Sequence, residues 1–419
     1  MREGYKKTKL GVIPEDWEVK KLNNITDVRD GTHDSPKQLD DGIPFITSKN
    51  LKRNGIDLNE ISYISEDDHF KISKRSEVNN GDILFGMIGT IGNPVIVNTD
   101  FEFSIKNVAL IKFKNEDISN VYINNLLKSE IIRKQFSRRS HGGVQKFIAL
   151  GVIRELDIPI PPIKEQKKIA SILSSVDEHL EEVDGMIEDL KELKKGLMQK
   201  LLTGQYTLEN GKLVKTKEFK KTRLGMIPKH WEIKKLDKIV GILSGYAFNS
   251  NNFNESDRGL PLIRIRDLEQ SNIKTYYDGE YDSKYIIKKN DVLIGMDGEF
   301  YVVKWNNENA LLNQRICKLE TYDDDILDIM FLYYRIQAEI RYIHRITPAT
   351  TVKHLSTRDI RNIKIPIPSI YEQEKISRVL LIMDDRIESF TKEQQDLQQL
   401  KKGLMQQLLT GKKRVKINN

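Results

Sequence analysis

Two stretches of the chain hold the residues best suited to acting on a polyanion. Lys128, Arg133, Lys134, Arg138, Arg139 and Lys146, opposed only by Glu130, surround the loop Ser140-His141-Gly142-Gly143-Val144-Gln145. Arg335, Arg341, Arg345, Lys353, Arg358, Arg361 and Lys364, opposed by Glu339 and Asp359, surround Thr347-Pro348-Ala349-Thr350-Thr351-Val352. Lysine and arginine neutralise phosphates, and loop amides with Gln, His, Thr and Arg side chains reach phosphates or base edges. A single cluster of this kind reads equally well as a solvated basic helix face. Two, at corresponding places in one chain, favour nucleic acid.

No set of residues suited to making or breaking bonds accompanies them. Gly81, Gly86, Gly89 and Gly92 mark tight turns, because the Gly-x-x-x-x-Gly-Lys-[Ser/Thr] order of a phosphate loop is absent. The Asn/Asp-Pro-Pro-aromatic motif of amino-methyltransferases is missing too, and the one Pro-Pro stands in Ile160-Pro161-Pro162-Ile163. Seven histidines lie scattered without metal-ligand spacing. Glu165-Gln166-Lys167 lacks the preceding Pro-Asp of a nuclease core and reads as a solvated helix end. The lone cysteine, Cys317, reads as a small buried hydrophobe. The expectation is a chain with no catalytic residues, no metal ligands and no cofactor of its own.

The elements that must position the basic loops come in duplicate. Tyr5-Lys6-Lys7-Thr8-Lys9-Leu10-Gly11-Val12-Ile13-Pro14 with Trp17 returns as Phe219-Lys220-Lys221-Thr222-Arg223-Leu224-Gly225-Met226-Ile227-Pro228 with Trp231. Ile158-Pro159-Ile160-Pro161 with Glu165-Gln166 returns as Ile365-Pro366-Ile367-Pro368 with Glu372-Gln373. Leu193-Lys194-Lys195-Gly196-Leu197-Met198-Gln199 recurs unchanged as Leu400 to Gln406. The middles between these ends share only islands, such as Asp82-Ile83-Leu84 with Gly86-Met87 against Asp291-Val292-Leu293 with Gly295-Met296. Like ends imply the same task done twice; drifted middles imply two different tasks of one kind.

Each repeat ends in a helical seam. Ile169, Leu173, Val176, Leu180, Val183, Ile187 and Leu190 alternate steps of four and three. Ile376, Leu380, Met383, Ile387, Phe390, Gln394 and Leu397 repeat the pattern with one polar interruption, Gln394, where the first seam has Ile187. Gly204 and Gly411 supply the stops. A single such seam fits a helix lying on its own globular domain; two matching ones favour helices packed on each other, each about 40 residues or roughly 60 Å long. A pseudo-twofold relation between the repeats favours antiparallel pairing, with Gln394 setting register.

The middles read as mixed α/β with short strands, among them Ile43–Ile46, Ile83–Phe85 and Val108–Ile111, then Leu262–Ile265, Val292–Ile294 and Arg315–Leu319. Helices are expected over Val121–Phe136 and Leu327–Ile343. The expected fold class is α+β: two mixed α/β domains joined by two long helices in an antiparallel coiled coil, with a pseudo-twofold internal repeat. The boundaries fall at 1–160 for the first domain, 161–204 for the central helix, 205–222 for a linker, 223–367 for the second domain, 368–411 for the C-terminal helix and 412–419 for a basic tail.

Composition agrees. A chain of 419 residues, 38% hydrophobic and 31% charged, holds two to three domains at roughly 150 residues each. It shows no run of about 18 uncharged apolar residues, so no membrane partner is expected. The start, Met1-Arg2-Glu3-Gly4-Tyr5-Lys6-Lys7, lacks the apolar core of a secretory signal, and a cytoplasmic location is expected. Net charge is +7, from 68 basic and 61 acidic residues, which fits a polyanionic partner only if the basic residues are clustered.

In their order and duplication these segments resemble one family, the specificity (S) subunit of type I restriction-modification systems. The resemblance covers nearly the whole chain. It rests on Ile13-Pro14 with Trp17, Asp30-Gly31-Thr32-His33-Asp34-Ser35-Pro36, Pro261-Leu262-Ile263-Arg264-Ile265-Arg266-Asp267-Leu268, both Ile-Pro-Ile-Pro segments and both Leu-Lys-Lys-Gly-Leu-Met-Gln helix ends. It implies two target recognition domains reading the halves of a split double-stranded DNA site. The paired helices would set the unread spacer and dock two methyltransferase (M) subunits, which methylate flipped adenines. A restriction (R) subunit is left open by the resemblance, as are the target bases. S-adenosylmethionine, ATP and Mg would belong to those partner subunits.

The candidate DNA contacts under this resemblance are His33, Arg138, Arg139, Gly142, Gly143, Gln145 and Lys146 in the first domain. In the second they are Arg264, Arg266, Arg345, Thr350, Thr351 and Lys353. Arg264 and Arg266, placed on one strand, alternate and could not face the same way. The alternative reading is a non-catalytic coiled-coil adaptor whose basic faces bind acidic protein partners without regard to DNA sequence.

Overall fold

The computed structural model describes residues 3–53, 55–114, 116–139, 147–268, 273–348 and 353–417. It divides into two compact units, Met1–Gly185 with Thr391–Asn419, and Met186–Phe390. Each unit holds one mixed α/β domain and a stretch of both long helices.

In the first unit a four-stranded antiparallel sheet runs in the order Gly92–Ile96, Ile83–Gly86, Val108–Phe113, Thr26–Asp30. Its central strands are apolar at consecutive positions because both faces are covered. Ile83, Phe85, Ala109 and Ile111 turn to a core that holds Tyr122, Leu126 and Ile153. Leu84, Val108 and Leu110 turn to a second core with Ile46, Leu51, Phe103 and Ile105. A smaller sheet, Ser104–Lys106, Ile43–Thr47 and Ser62–Ile64, roofs that second core. Glu18–Lys21 pairs with Asp157–Ile160, which brings the domain's start beside its end and aims the chain into the long helix Ile163–Leu201.

The second unit repeats this plan. Its sheet order is Val240–Ser244, Ile316–Thr321, Val292–Gly295, Val302–Lys304. Val292, Ile294, Cys317 and Leu319 face one core, and Leu293 and Ile316 the other. Cys317 is fully buried, and burial pushes its thiol up to about 12. Glu232–Lys235 pairs with Lys364–Ile367 before the long helix Ile370–Leu408.

The helices pair antiparallel in each unit. In the first, Lys401 meets Asp177, Gln394 donates from Nε2 to Asp184, and His179 lies 3.1 Å from Glu393. In the second, Lys194 meets Asp384. Every seam residue is buried or half-buried. The outer positions also enter the domain cores: Ile169 and Leu173 join Leu408 and Leu409 in the first unit, and Ile376 and Leu380 join Leu201 and Leu202 in the second. The two packing modes weighed from sequence therefore coexist along one seam.

Three local readings need correction. Glu165 and Gln166 are not a solvated helix end; both are fully buried. Gln166 accepts from Ser119 N–H at 3.0 Å and donates to the carbonyls of Asp117 and Pro161, and Gln373 does the same with Asp328, Ile326 and Pro368. A polar residue can be buried this way only because all its donors and acceptors are used. The single helix expected over Val121–Phe136 is two, Asn120–Leu127 and Glu130–Arg139. The strand expected through Ile265 stops at Ile263 and continues as a 3-10 turn, Ile265–Asp267. In addition, the segment 205–222 carries a hairpin, Tyr206–Glu209 with Lys212–Lys215.

The helix-ending glycines are structural in both units. Gly411 has φ +67° and a Cβ there would lie 2.3 Å from Pro14; Gly204 has φ +69° and would meet Pro228 at the same distance. The duplicated Ile-Pro and Trp segments are thus seats for the helix ends.

Candidate nucleic-acid interface

In the first unit the strand Thr26–Asp30 carries Asp30 to the rim of the sheet. Gly31 comes next because the chain must press against the neighbouring strand: a Cβ there would sit 2.3 Å from the Ile105 carbonyl. Thr32 N–H donates to that carbonyl at 3.0 Å, and Asn107, at φ +56°, turns the chain between the two facing strands. His33 is thereby held 2.9 Å from Asp30 through Nε2 and 2.9 Å from the Asn107 side-chain oxygen through Nδ1. Two acceptors for two ring nitrogens favour the imidazolium, and the bonds to Asn107 and then Asp30 raise the His33 pKa above its usual range.

The consequence changes the role given to His33. Its donors are spent inside the protein, so it acts as a positioning residue. Asp30 also binds the Arg75 guanidinium, and Arg29 donates to the Arg75 carbonyl at 3.1 Å. Arg75, with its side chain 66% exposed, is the group this cluster presents outward. Nothing in the sequence near Asp30 points to it, because it arrives from the last turn of the helix Glu66–Ser76.

Arg138 is exposed on the helix Glu130–Arg139. That helix is pinned by Gln135, buried and bonded both ways to the Asp157 backbone at 2.9 Å. The Arg139 side chain and Gly142, Gly143, Gln145 and Lys146 lie outside the described residues, as do Thr350 and Thr351 of the second loop.

In the second unit the candidates separate. Arg264 caps the 3-10 turn, half-buried, its guanidinium bonded to the Thr275 hydroxyl and 3.9 Å from Asp267. Arg266 is 67% exposed, so the alternation argument falls away and Arg266 is the outward-facing member. Arg345 is exposed and stacks over the Tyr342 ring at 5.6 Å. Lys353 is turned inward: its ammonium donates to the His344 carbonyl at 2.7 Å, satisfying a helix C-terminus. Sequence reasoning missed Arg315 and His354, which bracket Asp297 at 3.1 and 2.6 Å and are both more than half exposed.

Thus each unit sets one rim carboxylate between a histidine and an arginine. A carboxylate so shared holds the guanidinium in a fixed direction while leaving donors for an acceptor outside, which is what base-edge readout requires. Among the described residues no group of His, Cys, Asp and Glu could hold a metal ion, and no helix is long and apolar enough to cross a membrane.

Comparison with known proteins adds a family. The model for the type I restriction modification DNA specificity domain matches twice, over residues 14–192 and 228–399. A Methanocaldococcus jannaschii chain assigned as the type I restriction enzyme MjaX specificity subunit is 30% identical over 99% of this chain and 97% of its own length. The type I restriction enzyme EcoBI specificity subunit of Escherichia coli is 36% identical over 42% of this chain and 36% of its own. The crystal structure of the S subunit from M. genitalium superposes with a TM-score of 0.62 over 94% of this chain and 96% of that one, at 16% identity, a likeness of fold.

Proposed function

The chain belongs to the specificity subunits of type I restriction-modification systems, and from that premise we propose how its two domains divide the work. Specificity subunits are recognition components and not enzymes; they bind DNA and assemble with modification and restriction subunits. Each target recognition domain here reads one half of a split DNA site through its rim. The first uses Arg75, oriented by Asp30 and His33, with Arg138 and the loop 140–146. The second uses Arg266, Arg315, His354 and Arg345 with the loop 349–352.

Two modification subunits dock on the duplicated ends, one to each repeat, and carry S-adenosylmethionine themselves; ATP and Mg belong to a restriction subunit. The observation that carries this reading is the pairing of sameness with difference. Gln166 and Gln373 make three equivalent bonds, and Gly204 and Gly411 rest on equivalent Pro and Trp residues, whereas the rim clusters are built at different places in the two units, from Asp30, His33 and Arg75 in one and Asp297, His354 and Arg315 in the other. The adaptor alternative, with binding blind to sequence, finds no support in a chain matched twice by a DNA specificity domain.

The test is mapping of methylated adenines across the genome of cells that produce this chain with a modification subunit. A split motif is expected only when the chain is present. An active modification subunit that yields no chain-dependent motif would refute the reading.

A further inference from the structure

The first unit contains a cleft of about 1370 Å³ whose walls are the hairpin after Tyr5, the helix Glu130–Arg139 and both long helices. Lys9, Lys128, Lys134, Arg138, Lys401 and Lys402 all line it, from three elements far apart in sequence. Of the three carboxylates in the same walls, Glu130 is held by Arg133 at 2.6 Å, Asp177 by Lys401 at 2.5 Å, and Glu181 is exposed. No carboxylate among the described residues lies within ion-pair distance of Lys128, Lys134, Arg138 or Lys402. Lys128 is half-buried, and burial together with the neighbouring Lys401 ammonium lowers its pKa. Like charges gathered beside a partly desolvated ammonium form a site that an anion would relax.

The corresponding place in the second unit is lined differently. Lys194, which repeats Lys401, is bound to Asp384 beneath the Tyr334 ring, and the Tyr334 hydroxyl donates to the same carboxylate at 2.6 Å. Arg335 is taken by Glu339 at 2.5 Å. Six residues past its helix cap the second unit has this tyrosine; the first has Asn125, which bonds back to its own helix.

We propose that the first unit's cleft holds the phosphodiester backbone of duplex DNA flanking the first half-site, and that the second unit has no such hold. This rests on the function given above and adds to it an asymmetric, sequence-independent grip. DNA is favoured over an acidic peptide because Lys134 and Arg138 stand on the helix that runs directly into the loop 140–146. Phosphate contacts and base contacts would then succeed one another along a single stretch of chain.

The test uses the full chain assembled with its modification subunits, carrying Lys128→Ala with Lys134→Ala, and separately Arg341→Ala on the second unit's helix Ile329–Ile346. Binding to fluorescent duplexes with cognate and with scrambled half-sites is measured across a salt series. The double variant should flatten the log–log salt slope by about two, at about 0.9 per phosphate lost. It should weaken cognate and scrambled duplexes alike and leave the methylated motif unchanged, while Arg341→Ala keeps the parent's salt slope. An unchanged slope, or loss of assembly with the modification subunits in place of loss of DNA binding, would overturn the proposal; the latter outcome would assign the cleft to an acidic protein segment. If the parent complex itself binds cognate and scrambled duplexes equally, the functional reading fails, and the slope still tests the cleft.

Discussion

Gly31 and Gly245 do the same thing in the two units, yet the residues beyond them differ. Each glycine presses its backbone against a neighbouring strand, with a Cβ there 2.3 Å from the Ile105 carbonyl or 2.1 Å from the Asn313 carbonyl. The next residue, Thr32 or Tyr246, donates its N–H across the same gap at 3.0 or 2.9 Å. After that the first unit places His33 in its charged clamp, while the second has Ala247, with Tyr246 edge-on to Phe248 at 5.3 Å and tilted on Tyr285 at 5.2 Å. Backbone contacts fix the frame, and the side chains hung on the rim are free to change without disturbing it. That freedom is what a reader of varied sequences needs.

The comparison breaks most severely if the shared frame is lost. Gly31→Val or Gly245→Val should destabilise its own unit by about 4 kcal/mol, because backbone and not a flexible side chain stands in the way. Hydrogen exchange followed unit by unit should show loss of protection in one unit only; equal loss in both would mean the units do not fold as described.

A smaller asymmetry lies at the starts of the long helices. Trp17 Nε1 donates to Glu165 at 3.0 Å, and Arg414 bonds Glu165 at 2.8 and 2.7 Å and Asp16 at 2.8 Å; these bonds raise the Arg414 pKa further above its usual range. In the second unit Glu372 is met by Trp231 at 3.3 Å and His230 at 3.0 Å. Removing one partner of a buried pair costs roughly 3 to 5 kcal/mol, and the guanidinium is partly exposed, so Arg414→Ala should cost about 2 kcal/mol. The loss should appear as faster exchange in the first unit. His230→Ala should cost less and act in the second unit.

The rims supply the sharper test. Arg75→Ala should relax one base position in one half of the methylated motif, at about 1 to 3 kcal/mol, and Arg315→Ala one position in the other half. A substitution that altered both halves would contradict the division of labour.

The smallest effect is electrostatic. The His33 pKa is raised in the folded chain, so the stability its charge contributes is present below the ordinary histidine value and fades as pH climbs through the raised one. Imidazole resonances should titrate above 6.5, and Asn107→Ala, which removes the larger cause, should move that midpoint down.

Much of the fold was readable because it is written in local patterns. The seam spacing, the glycine stops and the doubled Ile-Pro strands each declare themselves within a few residues, and repetition confirmed them. The rim did not. Arg75 reaches Asp30 from a helix 45 positions away, and Asn107 and Arg315 do their work through turns that sequence alone does not align. Gln166 looked solvated because nothing near it announces the Asp117 and Ser119 backbone it serves. Lys353 reads as a DNA contact in the sequence because nothing near it announces the His344 carbonyl to which it donates.

The shared seam restricts how such a protein can be re-gauged. Since Ile169, Leu173, Ile376 and Leu380 belong to domain cores, an added helical turn at either end would strip a core of its plug. The stretch Leu180–Leu190 and its partner Ile387–Leu397 join neither core, whereas Asp384 is still tied to the buried Tyr334, and cross-bonds such as Gln394 to Asp184 require both helices to lengthen in step. Matched insertions confined to that middle stretch would leave both plugs seated, whereas an insertion in one helix alone would break the cross-bonds between the two.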